Sequence, residues 1–112
     1  MPFKFYKTFE HDNVADGTTV SNSWVAEENY VIKRIHIIRK DGASLTKSIF
    51  YFKIGDRVFT REIVPANIFR ERVDISPELN ITFSKSEKLD YIFKNQEGTA
   101  ISVFVVFEVH TA

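Results

Sequence analysis

Hydrophobic and polar residues alternate along most of this chain, which is the pattern of β-strands with one buried face. The clearest example is the run from 47 to 54, where Phe50, Phe52 and Ile54 share one parity. Glycine, asparagine and aspartate residues that favour turns separate the alternating runs. The pattern predicts about eight strands, at 3–9, 18–25, 30–40, 47–54, 57–64, 79–84, 88–94 and 99–110.

The strand at 30–40 departs from simple alternation. Ile35 and Ile37 lie on one parity, whereas Ile32 and Ile38 lie on the other. A change of parity within one strand predicts a β-bulge, or a strand that is buried on both faces for part of its length.

Turns and connections complete the predicted fold. Gly55-Asp56 is a two-residue link that predicts a type II′ hairpin, because glycine accepts the positive φ that this turn requires. Residues 66–78 contain Ser76-Pro77 and are predicted as a long connection. We therefore expect one all-β domain over residues 1–112, an antiparallel β-sandwich with a jelly-roll topology. The side chains expected inside are Phe50, Phe52, Ile81, Phe83, Phe93, Val103, Val105 and Phe107.

Charge and composition narrow the classes of partner. Fifteen basic and fifteen acidic residues cancel, so general nucleic-acid binding is not expected. The chain has no cysteine, and its first residues lack the apolar core of a secretory signal, so we expect synthesis in the cytoplasm. The longest nearly apolar stretch, 101–109, is too short to span a bilayer, and no membrane insertion is expected.

No combination of side chains predicts an active site. His11, His36 and His110 are isolated in the sequence, so we expect neither a metal site nor a cofactor. No serine lies in a nucleophile elbow. The acidic pair Glu27-Glu28 is typical of a solvated loop rather than a glycosidase centre. The sequence therefore predicts a protein that is not an enzyme.

Two aromatic residues are the candidates for carbohydrate binding. Trp24 and Tyr30 could stack on a sugar ring if they lay on a sheet face or a loop rim. Aromatic residues in strands more often pack in the core or against neighbouring strands, and that alternative is favoured. The basic pairs Lys33-Arg34 and Arg39-Lys40 are interpreted as edge charges that prevent aggregation rather than as a phosphate site.

The final strand predicts assembly of the chain with copies of itself. It is apolar on both faces, so it is expected either to be central in a sheet or to be covered by a neighbouring subunit. A monomer that exposed its second face would carry a large apolar patch. The alternative is that the 66–78 connection covers this face within one chain. The candidate interface residues are Phe104, Val106, Ile49, Tyr51, Phe3 and Phe5.

The order of these features resembles that of small single-jelly-roll structural proteins of viruses and phages, which form capsids, decorations or spikes. The resemblance is carried by segments at 15–20, 30–37, 52–56, 63–66, 79–83 and 91–95, ahead of the long last strand. It implies a structural subunit that is made in the cytoplasm and forms trimers or larger shells in a virion, with itself or other structural proteins as partners. A carbohydrate-binding or other ligand-binding sandwich, with a glycan as partner, is the alternative.

Overall fold

The computed structural model describes residues 4–43, 45–59, 66 and 78–111. They form eight β-strands, and none of the described segments is a helix with the length and apolarity that a membrane crossing requires. The strands are β1 (Lys4–Val14), β2 (Thr19–Val25), β3 (Tyr30–Arg39), β4 (Ile49–Ile54), β5 (Arg57–Val58), β6 (Ile81–Phe83), β7 (Lys88–Lys94) and β8 (Ile101–Thr111).

The strands form two four-stranded antiparallel sheets that pack as a sandwich, which confirms the predicted fold class. Sheet 1 has the order β1-β8-β3-β6, and sheet 2 has the order β2-β7-β4-β5. The first strand pairs with the last, the second with the seventh, the third with the sixth and the fourth with the fifth. This nested pairing is compatible with the predicted jelly roll. The last strand is central in sheet 1, as the sequence indicated.

Both local predictions for the backbone are confirmed. The pairing of β3 with β8 shifts register between Ile32 and Arg34, which is the predicted bulge. The shift returns Ile35 to the same buried side as Ile32, so both are fully buried. Gly55 has a φ of 57° and is followed by Asp56 without a positive φ, as in a type II′ turn between β4 and β5.

Two strands differ in length from the prediction. β1 continues to Val14 because β8 is long enough to pair with its polar second half, through a register shift between His11 and Val14. β6 is only three residues long. Most of the predicted return strand at 57–64, and all of the 66–78 connection except Ala66 and Glu78, lie outside the described residues.

The core lies between the sheets and is rich in aromatic rings. Of the eight side chains predicted inside, seven are buried, and Ile81 is partly buried against the same core. Phe50 and Tyr91 stack with their ring centroids 5.7 Å apart, and Tyr91 also contacts Phe107. The contact with Phe107 joins the two sheets, and such ring contacts add to the free energy of burial.

Candidate functional site

The outer face of sheet 2, which is turned away from the core, exposes apolar side chains. Alternation along β7 turns Tyr91 inward and leaves Asp90 and Ile92 outside. Tyr51 on β4 lies opposite Ile92, and Val58 on β5 is exposed. We call this surface the sheet 2 face; its residues are Ser21, Ser23, Tyr51, Lys53, Val58, Asp90 and Ile92.

The sheet 2 face is hollowed rather than flat. An almost wholly apolar depression of about 120 Å³ lies between Tyr51, Val58 and Ile92. A wider hollow of about 510 Å³ adjoins it and is lined by the hydroxyl groups of Ser21 and Ser23, among others. The face therefore offers an apolar centre beside a polar rim, which is the composition of a protein or ligand contact surface.

The outer face of sheet 1 carries Phe104 and Val106, two of the six candidate interface residues, and charged groups of the same chain cover part of it. The ammonium group of Lys40 lies 4.8 Å from the ring centre of Phe104. Glu10 and Asp12 on the neighbouring strand hold Lys40 there through two ion pairs. Phe104 and Val106 are both half-buried within the described chain.

A buried carboxylate is the second feature of the sheet 1 face. The side chain of Glu108 is 3 % exposed, and its Oε2 accepts a hydrogen bond of 3.1 Å from Arg34 Nη1. His110 Nε2 lies 3.4 Å from the same oxygen, and Glu78 pairs with Arg34 on the outside. A carboxylate desolvated in this way depends on its cationic partner. We call this surface the sheet 1 face; its residues are Glu10, Asp12, Arg34, Lys40, Phe104, Val106 and Glu108.

The basic pairs that the sequence singled out are matched by acids. Lys33 and Arg34 lie within 3.8 Å of Glu78. The guanidinium group of Arg39 donates two hydrogen bonds to the carboxylate of Asp41. Each of these cations, like Lys40, has a carboxylate partner in its own chain, which leaves no concentrated positive patch at these positions.

The six candidate interface residues do not lie together in the fold. Phe104 and Val106 are in sheet 1, whereas Ile49 and Tyr51 are in sheet 2. The two pairs therefore face away from each other across the sandwich. Phe5 packs into the core, with its ring 5.3 Å from that of Tyr30. Phe3 lies outside the described residues.

Trp24 and Tyr30 lie inside the sandwich and are not available for sugar stacking on the surface. They are 7 % and 6 % exposed, and their ring centroids are 5.4 Å apart. Phe5 and Phe83 close the cluster, with Phe83 at 5.1 Å from Trp24. Burial and a hydrogen bond to Glu27 raise the pKa of Tyr30 to about 12. The favoured alternative for these two residues, core packing, is what the structure has.

Glu97 is a carboxylate that the sequence analysis did not identify. Its side chain is 2 % exposed and accepts five hydrogen bonds, from the backbone and hydroxyl groups of Thr46 and Ser48 and the backbone of Lys47. Burial raises the pKa of Glu97, but these hydrogen bonds together outweigh burial and lower it to about 2. Because every acceptor direction is used, the group fixes the β3–β4 loop and is not placed to transfer a proton.

Other titratable groups also have structural partners. His11 Nε2 lies 2.6 Å from the hydroxyl of the buried Tyr91, and burial lowers the pKa of His11. Among the described residues, no three His, Asp or Glu side chains lie together as a metal site would need.

The one signal in the sequence that could have located the sheet 2 face is Ile92, an apolar residue among the outward positions Lys88, Asp90 and Lys94. No protein-family model, curated protein or solved structure matches this chain.

Proposed function

We propose that this protein is a non-enzymatic structural subunit that assembles with copies of itself through the sheet 2 side of the sandwich. One observation carries the proposal: Val25, Val58 and Ile92 are 52 %, 53 % and 42 % exposed on the strands of this one sheet. A structural role of this kind is also what the resemblance to single-jelly-roll proteins of viruses and phages implies.

Little of the sheet 2 face is covered, so contact with a second copy would bury exposed apolar side chains. Burying the exposed part of one such side chain contributes about 1 kcal/mol at roughly 25 cal/mol per Å². The apolar depression beside Tyr51 would receive a side chain of the partner. The chain has no net charge, so two copies approach without long-range repulsion.

Solution mass tests the proposal directly. We expect the wild-type chain to sediment as an oligomer, and the double variant Tyr51→Ser with Ile92→Ser to dissociate while keeping its circular dichroism spectrum and thermal stability. The matched control, Tyr6→Ser, removes a ring that is 50 % exposed on sheet 1 and should leave the mass unchanged. A wild-type monomer over the whole accessible concentration range would exclude the proposal.

A second pair of substitutions separates the two faces. Phe104→Ser with Val106→Ser should lower the stability of the fold, because both side chains are half-buried in their own chain and Lys40 lies over the ring of Phe104. If this pair instead dissociates the oligomer with stability unchanged, while Tyr51→Ser with Ile92→Ser does not, the sheet 2 face is the wrong interface.

Ligand binding in the polar hollow is the second candidate function. Its volume of about 510 Å³ lies within the range of small-molecule sites, and Ser21, Ser23 and Asp90 offer hydroxyl and carboxylate groups to a sugar. Tyr51 lines the adjoining apolar depression and replaces Trp24 and Tyr30 as the ring available for stacking. Glycan-array binding that is lost in Tyr51→Ala, by a chain that remains monomeric, would favour this function over assembly.

A further inference from the structure

The four edges of the two sheets are not equally protected against pairing with another strand. β5 and β6 have two and three residues, too few to template a partner. β1 is long, but its edge carries an inward-pointing Lys7, whose ammonium lies 5.5 Å from the ring centre of Trp24. β1 also changes register between His11 and Val14. Short edges, inward charges and bulges are the features that prevent edge pairing in natural sheets.

β2 has none of these protections. Its seven residues, Thr-Val-Ser-Asn-Ser-Trp-Val, include no charge and no proline, and its pairing with β7 is regular from end to end. No described strand pairs with its outer side.

The backbone groups that β2 presents at this edge follow from its hydrogen bonds. Asn95 donates to the carbonyl oxygen of Thr18, and Ala26 donates to that of Glu87, so even-numbered residues bond towards β7. Odd-numbered residues therefore direct their N–H and C=O groups outward. The Ser23 N–H accordingly bonds to the side-chain oxygen of Asn22 rather than to β7. The outward set is Thr19, Ser21, Ser23 and Val25.

We infer that two copies of this chain pair through β2, antiparallel across a twofold axis at Asn22. This inference rests on the proposed self-assembly and adds a second contact, at the β2 edge of sheet 2, to the one proposed for the face of that sheet. Pairing about Asn22 uses the full length of the strand and places Ser21 opposite Ser23 of the second copy, and Thr19 opposite Val25. Hydroxyl pairs and β-branched pairs across strands are favourable, and no charges oppose each other.

The second copy is the occupant that fits this edge, because the strand complements itself. The paired strands join two four-stranded sheets into one continuous eight-stranded sheet. The sheet 2 faces of both copies then lie side by side, so the exposed Ile92 of each continues into one larger surface. A closed twofold contact of this kind is the commonest symmetry of homo-oligomers.

Single cysteines test the register, since the chain has no cysteine of its own. Residues opposite each other at the axis have Cα atoms about 4.5 Å apart, within disulfide range. We expect Asn22→Cys to form a covalent dimer on mild oxidation. Ser21→Cys and Ser23→Cys alone should not, because each would face its own copy along a diagonal of about 7–8 Å. An equimolar mixture of the two should crosslink as a heterodimer.

Backbone substitution tests the edge itself. Ser21→Pro removes an outward N–H that β7 does not use, so the fold should persist while the mass of the oligomer falls. Ser21→Ala keeps that N–H and should leave the mass unchanged. If the proline strains β2, Ser21→Lys with Ser23→Lys provides the second test. It places lysines opposite each other and should weaken the dimer in a manner that added salt partly reverses.

The outcomes distinguish this inference from the proposed function. If the wild-type chain is an oligomer that survives Ser21→Lys with Ser23→Lys, and Asn22→Cys does not crosslink, pairing through β2 is wrong while self-assembly stands. If the wild-type chain is a monomer, both are wrong. Crosslinking of Ser21→Cys alone, in preference to Asn22→Cys, would overturn the register.

Discussion

The outer faces of the two sheets differ in how far charged groups cover their apolar side chains. On sheet 1, Lys40 is held over the ring of Phe104 by two acids, and Glu108 is paired with Arg34. On sheet 2, Ile92 and Val58 remain exposed around a depression. The edges differ in the same sense: β1 has an inward-pointing lysine and a register shift that hinder pairing with another strand, and β2 has neither. A chain that protects one sheet with its own charges can leave the other available for contact.

Removing the cation beside Glu108 should give the largest effect on stability. Arg34→Met leaves a carboxylate that is 3 % exposed without its hydrogen-bonded partner, and we expect a loss of about 3 kcal/mol in the free energy of unfolding. Denaturant titration measures it. Lys53→Met, an outward lysine of the sheet 2 face, is the matched control and should change stability by less than about 0.5 kcal/mol.

A compensating change checks the cause of that loss. Arg34→Met combined with Glu108→Leu replaces the pair by apolar groups and should recover most of the stability, because no charge is then left desolvated. If the double variant is as unstable as Arg34→Met, the arginine stabilises through packing of its stem and not through Glu108.

Sequence patterns located the elements of this fold better than its surfaces. β7 has the predicted bounds, and the change of parity at 30–40 corresponds to a real register shift. Alternation reveals which side chains of one strand share a face, because it reflects the geometry of that strand alone. It does not reveal which strands share a sheet, so it could not show that the candidates Tyr51 and Phe104 lie on opposite faces.

For a related reason, the sequence patterns predicted neither the hydrogen bonds of Glu97 nor the orientation of Trp24. Glu97 gains its hydrogen bonds from a loop about fifty positions earlier in the chain, and no local pattern marks that encounter. Trp24 follows two serines and an asparagine, so the alternation in β2 did not show which way its ring points. Tertiary contact, rather than local preference, decided both positions.

Strong acid should destabilise the loops that cross between the sheets, because Glu97 joins two of them. Glu97 lies in the β7–β8 connection and holds the β3–β4 connection. Its pKa of about 2 in the folded chain is below its ordinary value of 4.5, so the unfolded chain binds the proton more readily. The stabilisation is therefore complete above about pH 4.5 and is lost as the pH falls towards 2.

Glu97→Gln tests this account through unfolding measured at several pH values. The amide would direct N–H groups at backbone donors, and we expect a loss of about 1.5 kcal/mol near neutral pH. The difference between variant and wild type should shrink as the pH falls towards 2, since the carboxylate itself is then protonated. A constant difference across this range would show that the charge of Glu97 contributes nothing.

The smallest expected effect on stability is that of replacing Lys7, the inward-pointing charge of β1. This change tests most directly the contrast between the edges of the two sheets. Lys7 points inward at the open edge, with its ammonium 5.5 Å from the ring centre of Trp24 and 5.6 Å from that of Phe9. Lys7→Thr should change stability by less than about 0.5 kcal/mol, because it exchanges two partly exposed cation–π contacts for a residue that favours strands. Combined with Ser21→Pro, which should abolish pairing through β2, it should restore some association through β1. Sedimentation of Lys7→Thr with Ser21→Pro against Ser21→Pro alone measures this gain, and Lys4→Thr with Ser21→Pro controls for loss of a lysine that does not point inward. If neither double variant associates, the register shift at His11–Val14 is enough to protect β1, and the inward charge is not what distinguishes the two edges.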